Sequence, residues 1–100
     1  MKEVSCADVL GADPSVQIID VRETDEVASG MIEGAEHLPM GQIPSRISEL
    51  DPGRPVIAVC RSGARSASVA DALTAAGFDC STMRGGMVEW AAEGLPTSRG

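Results

Sequence analysis

Two short apolar runs constrain the fold of this chain more than any other feature. Both are rich in β-branched residues and bounded by proline, aspartate or glycine; they span 16–20 (Val-Gln-Ile-Ile-Asp) and 55–59 (Pro-Val-Ile-Ala-Val). Apolar runs of this length are typical of strands buried on both faces of a parallel sheet. Parallel strands need crossover connections, which are usually helices. The runs therefore predict an α/β layer fold with right-handed crossovers.

Helical signals lie between the apolar runs. The clearest covers 66–76, where apolar residues recur on one face and Gly77 stands at the usual position of a terminating glycine. Shorter helices are predicted up to residue 10 after a Ser5 cap, and over 26–29, 44–50 and 86–92. Trp90 is expected to pack inward. Weaker strand signals lie at 2–4, 36–38 and 81–83.

The length of 100 residues leaves room for a single core. We expect one domain over 1–96 and a short flexible tail over 97–100. Strands and helices alternate along the whole domain, as in an α/β layer fold.

The charge and aromatic content argue against nucleic-acid binding. The chain has 15 acidic residues against 8 basic ones, a net charge of −7, and only one Trp, one Phe and no Tyr. Binding to phosphates needs a clustered basic face, and base stacking needs aromatic side chains. No apolar run approaches the ~20 residues that span a bilayer. We therefore expect neither a nucleic-acid partner nor a membrane association.

The three cysteines, Cys6, Cys60 and Cys80, cannot all pair within one chain and show no CxxC spacing. The single histidine, His37, offers little for a fourth ligand and is expected to be structural, so no metal site is predicted. The N-terminus has no apolar signal region. A cytoplasmic, reducing location follows as the expectation, because a free thiol survives there.

The segment between the second apolar run and the clearest helix carries the chemistry. It reads Cys60-Arg61-Ser62-Gly63-Ala64-Arg65, with the predicted helix starting at Ser66. In an open parallel sheet, ligands bind beyond the carboxyl ends of the strands. The sequence therefore predicts a thiol at the start of a tight loop, at the edge of the sheet where ligands bind.

Three effects in this loop favour an ionised Cys60. Backbone N–H groups of a turned loop can point inward and bind an anion, and the following helix adds positive dipole character. Arg61 and Arg65 add positive charge, and Gly63 allows backbone angles that a side chain would hinder. We expect the pKa of Cys60 to lie below the ~8.5 of a free cysteine. Cys6 and Cys80 lack these surroundings and are expected to serve in packing.

The chain resembles the rhodanese family of sulfurtransferases in its single-domain form, over about 4–96. The segments that carry the resemblance follow one another at the spacing of that family: 20–23 (DVRE), Glu26, 30–39 (GMIEGAEHLP), 60–66 (CRSGARS), Gly77-Phe78, Gly85-Gly86, Trp90 and 94–96 (GLP). The resemblance implies an α/β fold of three layers, with a central five-stranded parallel sheet flanked by helices. It also implies that Asp20 and Arg22 form a structural ion pair near the active site. Glu26 either braces the same network or is a solvated helix carboxylate.

The resemblance further implies a reaction in two steps through a Cys60 persulfide. Sulfane sulfur moves from an anionic donor such as thiosulfate to Cys60, and then to cyanide, a small thiol or a protein cysteine, without a cofactor. The loop residues that would bind substrate are Arg61, Ser62, Gly63, Ala64, Arg65 and Ser66. Arg61 is expected to be exposed and to recruit the donor. Two roles are open for Arg65, which either binds the donor or holds the loop.

Two other functions share part of this pattern. Cysteine phosphatases and arsenate reductases also begin an anion loop with Cys and contain Arg, but they place five residues between the two, whereas four lie between Cys60 and Arg65. The shorter loop fits a sulfur atom better than a phosphate. The other alternative is a regulatory or protein-interaction module; such modules in this family lack the cysteine, which this chain retains.

Overall fold

The computed structural model describes residues 2–98. Its strands are β1 (Lys2–Val4), β2 (Gln17–Asp20), β3 (Glu36–His37), β4 (Val56–Val59) and β5 (Cys80–Met83). Its α-helices are α1 (Cys6–Leu10), α2 (Thr24–Val27), α3 (Ile43–Arg46), α4 (Ala64–Ala75) and α5 (Gly86–Ala92). The predicted alternation of strands and helices is confirmed.

The strands form one sheet in the order β1-β5-β4-β2-β3, and all four pairings are parallel. Strand β4 lies in the centre and is buried at all four residues, as its continuous apolar run predicts. The carboxyl ends of β2, β4 and β5 therefore meet at one edge. The predicted five-stranded α/β fold is confirmed.

Side chains of the central strand alternate between two separate cores. Val56, Ala58 and Cys60 pack on the face that α4 covers. Ile57 and Val59 pack with the buried residues of α1 and α5 on the opposite face. This alternation has the two-residue period of a strand, and it places the Cys60 side chain on the α4 side of the sheet. Trp90 is buried in the second core, as the sequence predicts.

Several helix boundaries differ from the predicted ones. Helix α4 begins at Ala64 instead of 66, because Gly63 takes a left-handed φ of 106° and serves as its N-cap. The predicted helix over 44–50 is divided: α3 is flanked by the 3-10 turns Met40–Gln42 and Ile47–Glu49. Helix α2 begins two residues early because the Glu26 carboxylate accepts the Glu23 N–H and caps the first turn.

Part of the predicted flexible tail over 97–100 lies within the described residues. Ser98 forms an isolated antiparallel bridge with Met31, with N···O distances of 2.8 and 2.9 Å in the two directions. Residues 99 and 100 lie outside the described residues. In the described part of the chain, no helix is long and apolar enough to cross a membrane.

Candidate active site

Cys60 follows β4 directly, and the loop after it folds back over its sulfur. The backbone N–H of Gly63 donates to Cys60 Sγ at 3.0 Å. The left-handed φ of Gly63 turns the chain at this point, and a side chain there would be strained. The loop amide therefore faces inward, towards the sulfur, as the anion-binding interpretation of the sequence requires.

A buried serine lies beside the same sulfur. Ser66, in the first turn of α4, places its Oγ 3.3 Å from Cys60 Sγ. Ser66 Oγ also lies 2.7 Å from Oγ1 of Thr82, a buried residue of β5. Ser66 is among the loop residues expected from the sequence, whereas Thr82 is not. The available signal was a hydroxyl residue within the weak strand signal at 81–83.

These contacts lower the pKa of Cys60. Burial acts most strongly and opposes ionisation of the thiol, but it is outweighed by hydrogen bonds from the Ser66 hydroxyl and from the backbone N–H groups of Ser66, Gly63 and Ser62. The direction agrees with the expectation from the sequence. The cause differs in part, because arginine charge is not among the leading contributions.

The pKa values of the other two cysteines are raised instead of lowered. All three are free and buried, each 1% exposed. Burial raises the pKa of Cys80 to about 11, and it also raises the pKa of Cys6, where Glu93 and Glu89 add negative charge. Among three equally buried thiols, Cys60 is thus the one whose surroundings favour the thiolate.

The two arginines of the loop have different surroundings. Arg61 is exposed, and no carboxylate among residues 2–98 forms an ion pair with it. Arg65 is half-buried in the first turn of α4 and donates two hydrogen bonds of 2.7 Å to the carboxylate of Glu26. The hydrogen bonds from Arg65 lower the pKa of Glu26 to about 2. Of the two roles left open for Arg65, the geometry favours holding the loop.

Two further loop residues lie at the surface. Ser62 and Ala64 are exposed, and Ala64 belongs to the first turn of α4 together with Arg65 and Ser66. The predicted six-residue loop is thus shorter in the structure, where only Arg61, Ser62 and Gly63 separate Cys60 from the helix.

Asp20 and Arg22 form a buried ion pair at the end of β2. Arg22 Nη2 lies 2.7 Å from Asp20 Oδ2, and Nε donates to both carboxylate oxygens. The guanidinium also donates to the carbonyl oxygens of Gly30, at 2.8 Å, and Glu26, at 3.4 Å. The pair therefore ties the end of β2 to α2, the helix that carries the partner of Arg65. His37 Nε2 lies 2.8 Å from the Arg22 carbonyl oxygen, a backbone contact that fits a structural role.

The first turn of α5 holds the loop from its other side. The N–H groups of Met87 and Val88 donate to the carbonyl oxygens of Cys60 and Arg61, both at 2.9 Å. Gly86, with a φ of 61°, packs so closely on these carbonyls that an added Cβ would lie 2.7 Å from Cys60 O. Gly85-Gly86 is part of the family resemblance, but its role is not visible in the sequence because the contact joins segments far apart in the chain.

The chain matches known proteins along nearly its whole length. Residues 5–93 match the family described as the Rhodanese-like domain. The chain is 41% identical over 99 residues to the "Putative sulfurtransferase YtwF" of Bacillus subtilis. This match covers 96% of each of the two chains. It is 44% identical over 82 residues to a sulfurtransferase of Allochromatium vinosum, covering 81% of this chain and 77% of the relative. A rhodanese-like domain protein of Staphylococcus aureus superposes with a TM-score of 0.85 at 36% identity, covering 98% and 99% of the two chains.

This chain belongs to the rhodanese-like domain family. The resemblance carried by the separate sequence segments is thereby confirmed, and the parallel sheet agrees with the fold of the solved relative.

Proposed function

We propose that this chain is a sulfurtransferase in which Cys60 carries the transferred sulfur. The observation that carries the proposal is the inward-facing N–H of Gly63, 3.0 Å from Cys60 Sγ. An amide in this position stabilises negative charge on the thiolate, and equally on a sulfur atom attached to it. Two relatives that match over most of this chain are named sulfurtransferases, which supports the same activity.

The proposed reaction is a double displacement. The Cys60 thiolate attacks the outer sulfur of an anionic donor such as thiosulfate; the S–S bond of the donor breaks, and sulfite leaves with the electron pair. The product is a Cys60 persulfide. A thiophilic acceptor, namely cyanide, a small thiol or a protein cysteine, then attacks the outer sulfur and releases the thiolate. Both steps balance in atoms and electrons without a redox cofactor, and they predict ping-pong kinetics.

Arg61 is the proposed docking point for the donor anion. It is exposed and borders a cavity of about 410 Å³ whose lining includes Met87, Val88 and Ala91. The cation would attract the donor, while the loop amides receive the transferred sulfur. A reducing, cytoplasmic setting fits this proposal, because the chain keeps three free cysteines.

The pairing of Arg65 argues against the phosphatase alternative. A phosphatase of this general design needs its loop arginine to bind the phosphate oxygens, whereas here both terminal nitrogens of Arg65 bond to the Glu26 carboxylate. The retained cysteine with its lowered pKa argues against a purely regulatory module.

The proposal is tested by incubating the protein with thiosulfate and measuring its intact mass. The wild type is expected to gain one sulfur atom and Cys60→Ala none. Cys80→Ala, which removes an equally buried thiol from the same core, is the matched control and should gain one sulfur. Equal gain in wild type and Cys60→Ala would remove Cys60 from the mechanism. Efficient hydrolysis of an aryl phosphate without any sulfur transfer would favour the phosphatase instead.

A further inference from the structure

Two buried hydroxyl groups form a chain that ends at the proposed nucleophile. Thr82 Oγ1 lies 2.7 Å from Ser66 Oγ, which lies 3.3 Å from Cys60 Sγ. Thr82 and Ser66 are 2% and 0% exposed, so solvent does not compete for their protons. Among residues 2–98, Thr82 Oγ1 forms no hydrogen bond with Cys60, so Ser66 is the hydrogen-bonding link between the two.

We propose that Thr82 is a positioning residue that donates its hydroxyl proton to Ser66 and so leaves the single Ser66 proton available to the Cys60 thiolate. The inference rests on the proposed function, since it assigns to Thr82 a role in supporting the nucleophile named there.

The direction of the chain follows from counting protons. Ser66 Oγ has three neighbours: Cys60 Sγ, the Gly63 carbonyl oxygen at 3.2 Å and Thr82 Oγ1. The carbonyl oxygen and the thiolate can only accept, and Ser66 has one proton to give. Among residues 2–98, the Thr82 hydroxyl has no hydrogen-bond partner other than Ser66. The hydroxyl protons of Ser66 and Thr82 therefore both find an acceptor only when Thr82 donates to Ser66.

Ionisation of Cys60 then requires only a rotation of the Ser66 hydroxyl. In the thiol form, Ser66 donates to the Gly63 carbonyl oxygen while it accepts from Thr82 and from the Cys60 S–H. In the thiolate form, the same proton turns to Sγ, and Thr82 continues to donate. A hydroxyl that accepts a hydrogen bond is also a stronger donor, because bonds in a chain polarise one another. Loss of the Thr82 hydroxyl should therefore weaken the bond to the thiolate.

The test is the pH dependence of Cys60 alkylation by iodoacetamide, followed by mass spectrometry of the Cys60 peptide. Thr82→Val removes the hydroxyl and keeps the shape, whereas Thr82→Ser keeps the hydroxyl. Thr82→Val is expected to raise the alkylation midpoint by about half a pH unit, and so to slow labelling ~3-fold below the midpoint. The rate on the alkaline plateau should be unchanged, and Thr82→Ser should match the wild type. An unchanged alkylation midpoint, or a fall in the alkylation rate by the same factor at every pH, would overturn the proposal.

A double-mutant comparison tests whether Thr82 acts through Ser66. In a Ser66→Ala background, Thr82→Val should produce no additional shift of the midpoint; the same shift in both backgrounds would contradict the proposed chain. If thermal unfolding finds Thr82→Val unfolded, Thr82→Ala measured against Thr82→Ser gives the same comparison. Alkylation involves no sulfur donor. If Thr82→Val shifts the midpoint but the wild type takes up no sulfur from thiosulfate, the result contradicts the proposed function and leaves the role of Thr82 intact.

Discussion

Arg65 and Glu26 form a two-point ion pair, with both nitrogen–oxygen distances at 2.7 Å. Arg65 lies in the first turn of α4 and Glu26 in α2, so the pair joins two helices. The two residues are 39 positions apart in the chain. Because Gly63 and Ser66 lie in the same turn as Arg65, the pair also fixes the groups that bond to the sulfur. Glu26 therefore supports the loop and is not a freely solvated carboxylate.

Removal of the Glu26 charge should loosen this turn. Glu26→Gln is expected to lower the free energy of unfolding by about 1 kcal/mol, since the pair is well aligned but partly exposed. Glu49→Gln, which breaks the exposed pair with Arg46, is the matched control and should cost less. Urea denaturation measures both. Equal costs for the two variants would mean that the Glu26 pair has no special role.

The same pair predicts a loss of stability in acid. The pKa of Glu26 is lowered to about 2 in the folded chain, so its contribution is complete above the pKa of the unfolded carboxyl, near 4.5. The contribution is lost as the pH falls from about 4.5 towards 2. Wild type and Glu26→Gln should therefore converge in stability over this range. A constant difference between them down to pH ~2 would contradict the assignment.

Gly86 is expected to be essential for the geometry of the loop. Gly86→Ala places a Cβ against the carbonyl oxygens of Cys60 and Arg61, at a φ of 61°. Gly94→Ala is the matched control, because Gly94 has a φ of 70° and nothing within 4 Å of an added Cβ. In both variants, the left-handed backbone conformation of alanine is expected to lower the free energy of unfolding by about 1–2 kcal/mol. Only Gly86→Ala should also slow persulfide formation, by an order of magnitude or more. Equal rates in the two variants would contradict the close packing.

Selective labelling tests whether the Cys60 thiol ionises more readily than the other two thiols. Cys6, Cys60 and Cys80 are equally buried, so ionisation and not exposure should decide which reacts first. With limiting iodoacetamide at neutral pH, peptide mapping should find the label on Cys60 before the other two. Preferential labelling of Cys80, whose pKa is raised to about 11 by burial, would contradict the account.

Arg61 should affect donor binding without affecting the thiolate. Arg61→Gln is expected to raise the KM for thiosulfate by about 3–10-fold at low salt, and the difference should shrink as salt screens the charge. The alkylation midpoint of Cys60 should stay where it is. Arg54→Gln, which removes an exposed arginine whose Nε donates to the Ser15 carbonyl oxygen, is the control. A KM that is the same in both variants would rule out Arg61 as the docking point.

The parts of the fold that depend on local sequence could be predicted. The two apolar runs predicted β2 and β4, because they are short and rich in the β-branched residues that favour strands. The loop at Cys60 was also readable, since a thiol, a glycine and a following helix lie within a few residues of one another.

The contacts that depend on distant segments could not be predicted. The partner of Arg65 lies in α2, and the partner of Ser66 lies in β5, so both are set by the packing of helices on the sheet and by strand order. Helix α4 begins at Ala64 and not at the predicted residue 66, and the reason is local. Gly63 caps the helix without a side chain, in a conformation that the sequence leaves open.

The central claim is that the Cys60 sulfur accepts and returns one sulfane sulfur. After treatment with thiosulfate, persulfides are capped with an alkylating reagent, the chain is cleaved, and each cysteine peptide is weighed, with and without prior exposure to cyanide. The proposed mechanism predicts one added sulfur on the Cys60 peptide, lost after cyanide treatment, and none on the peptides of Cys6 and Cys80. Sulfur found on either of those peptides instead, or absent from the Cys60 peptide, would contradict it.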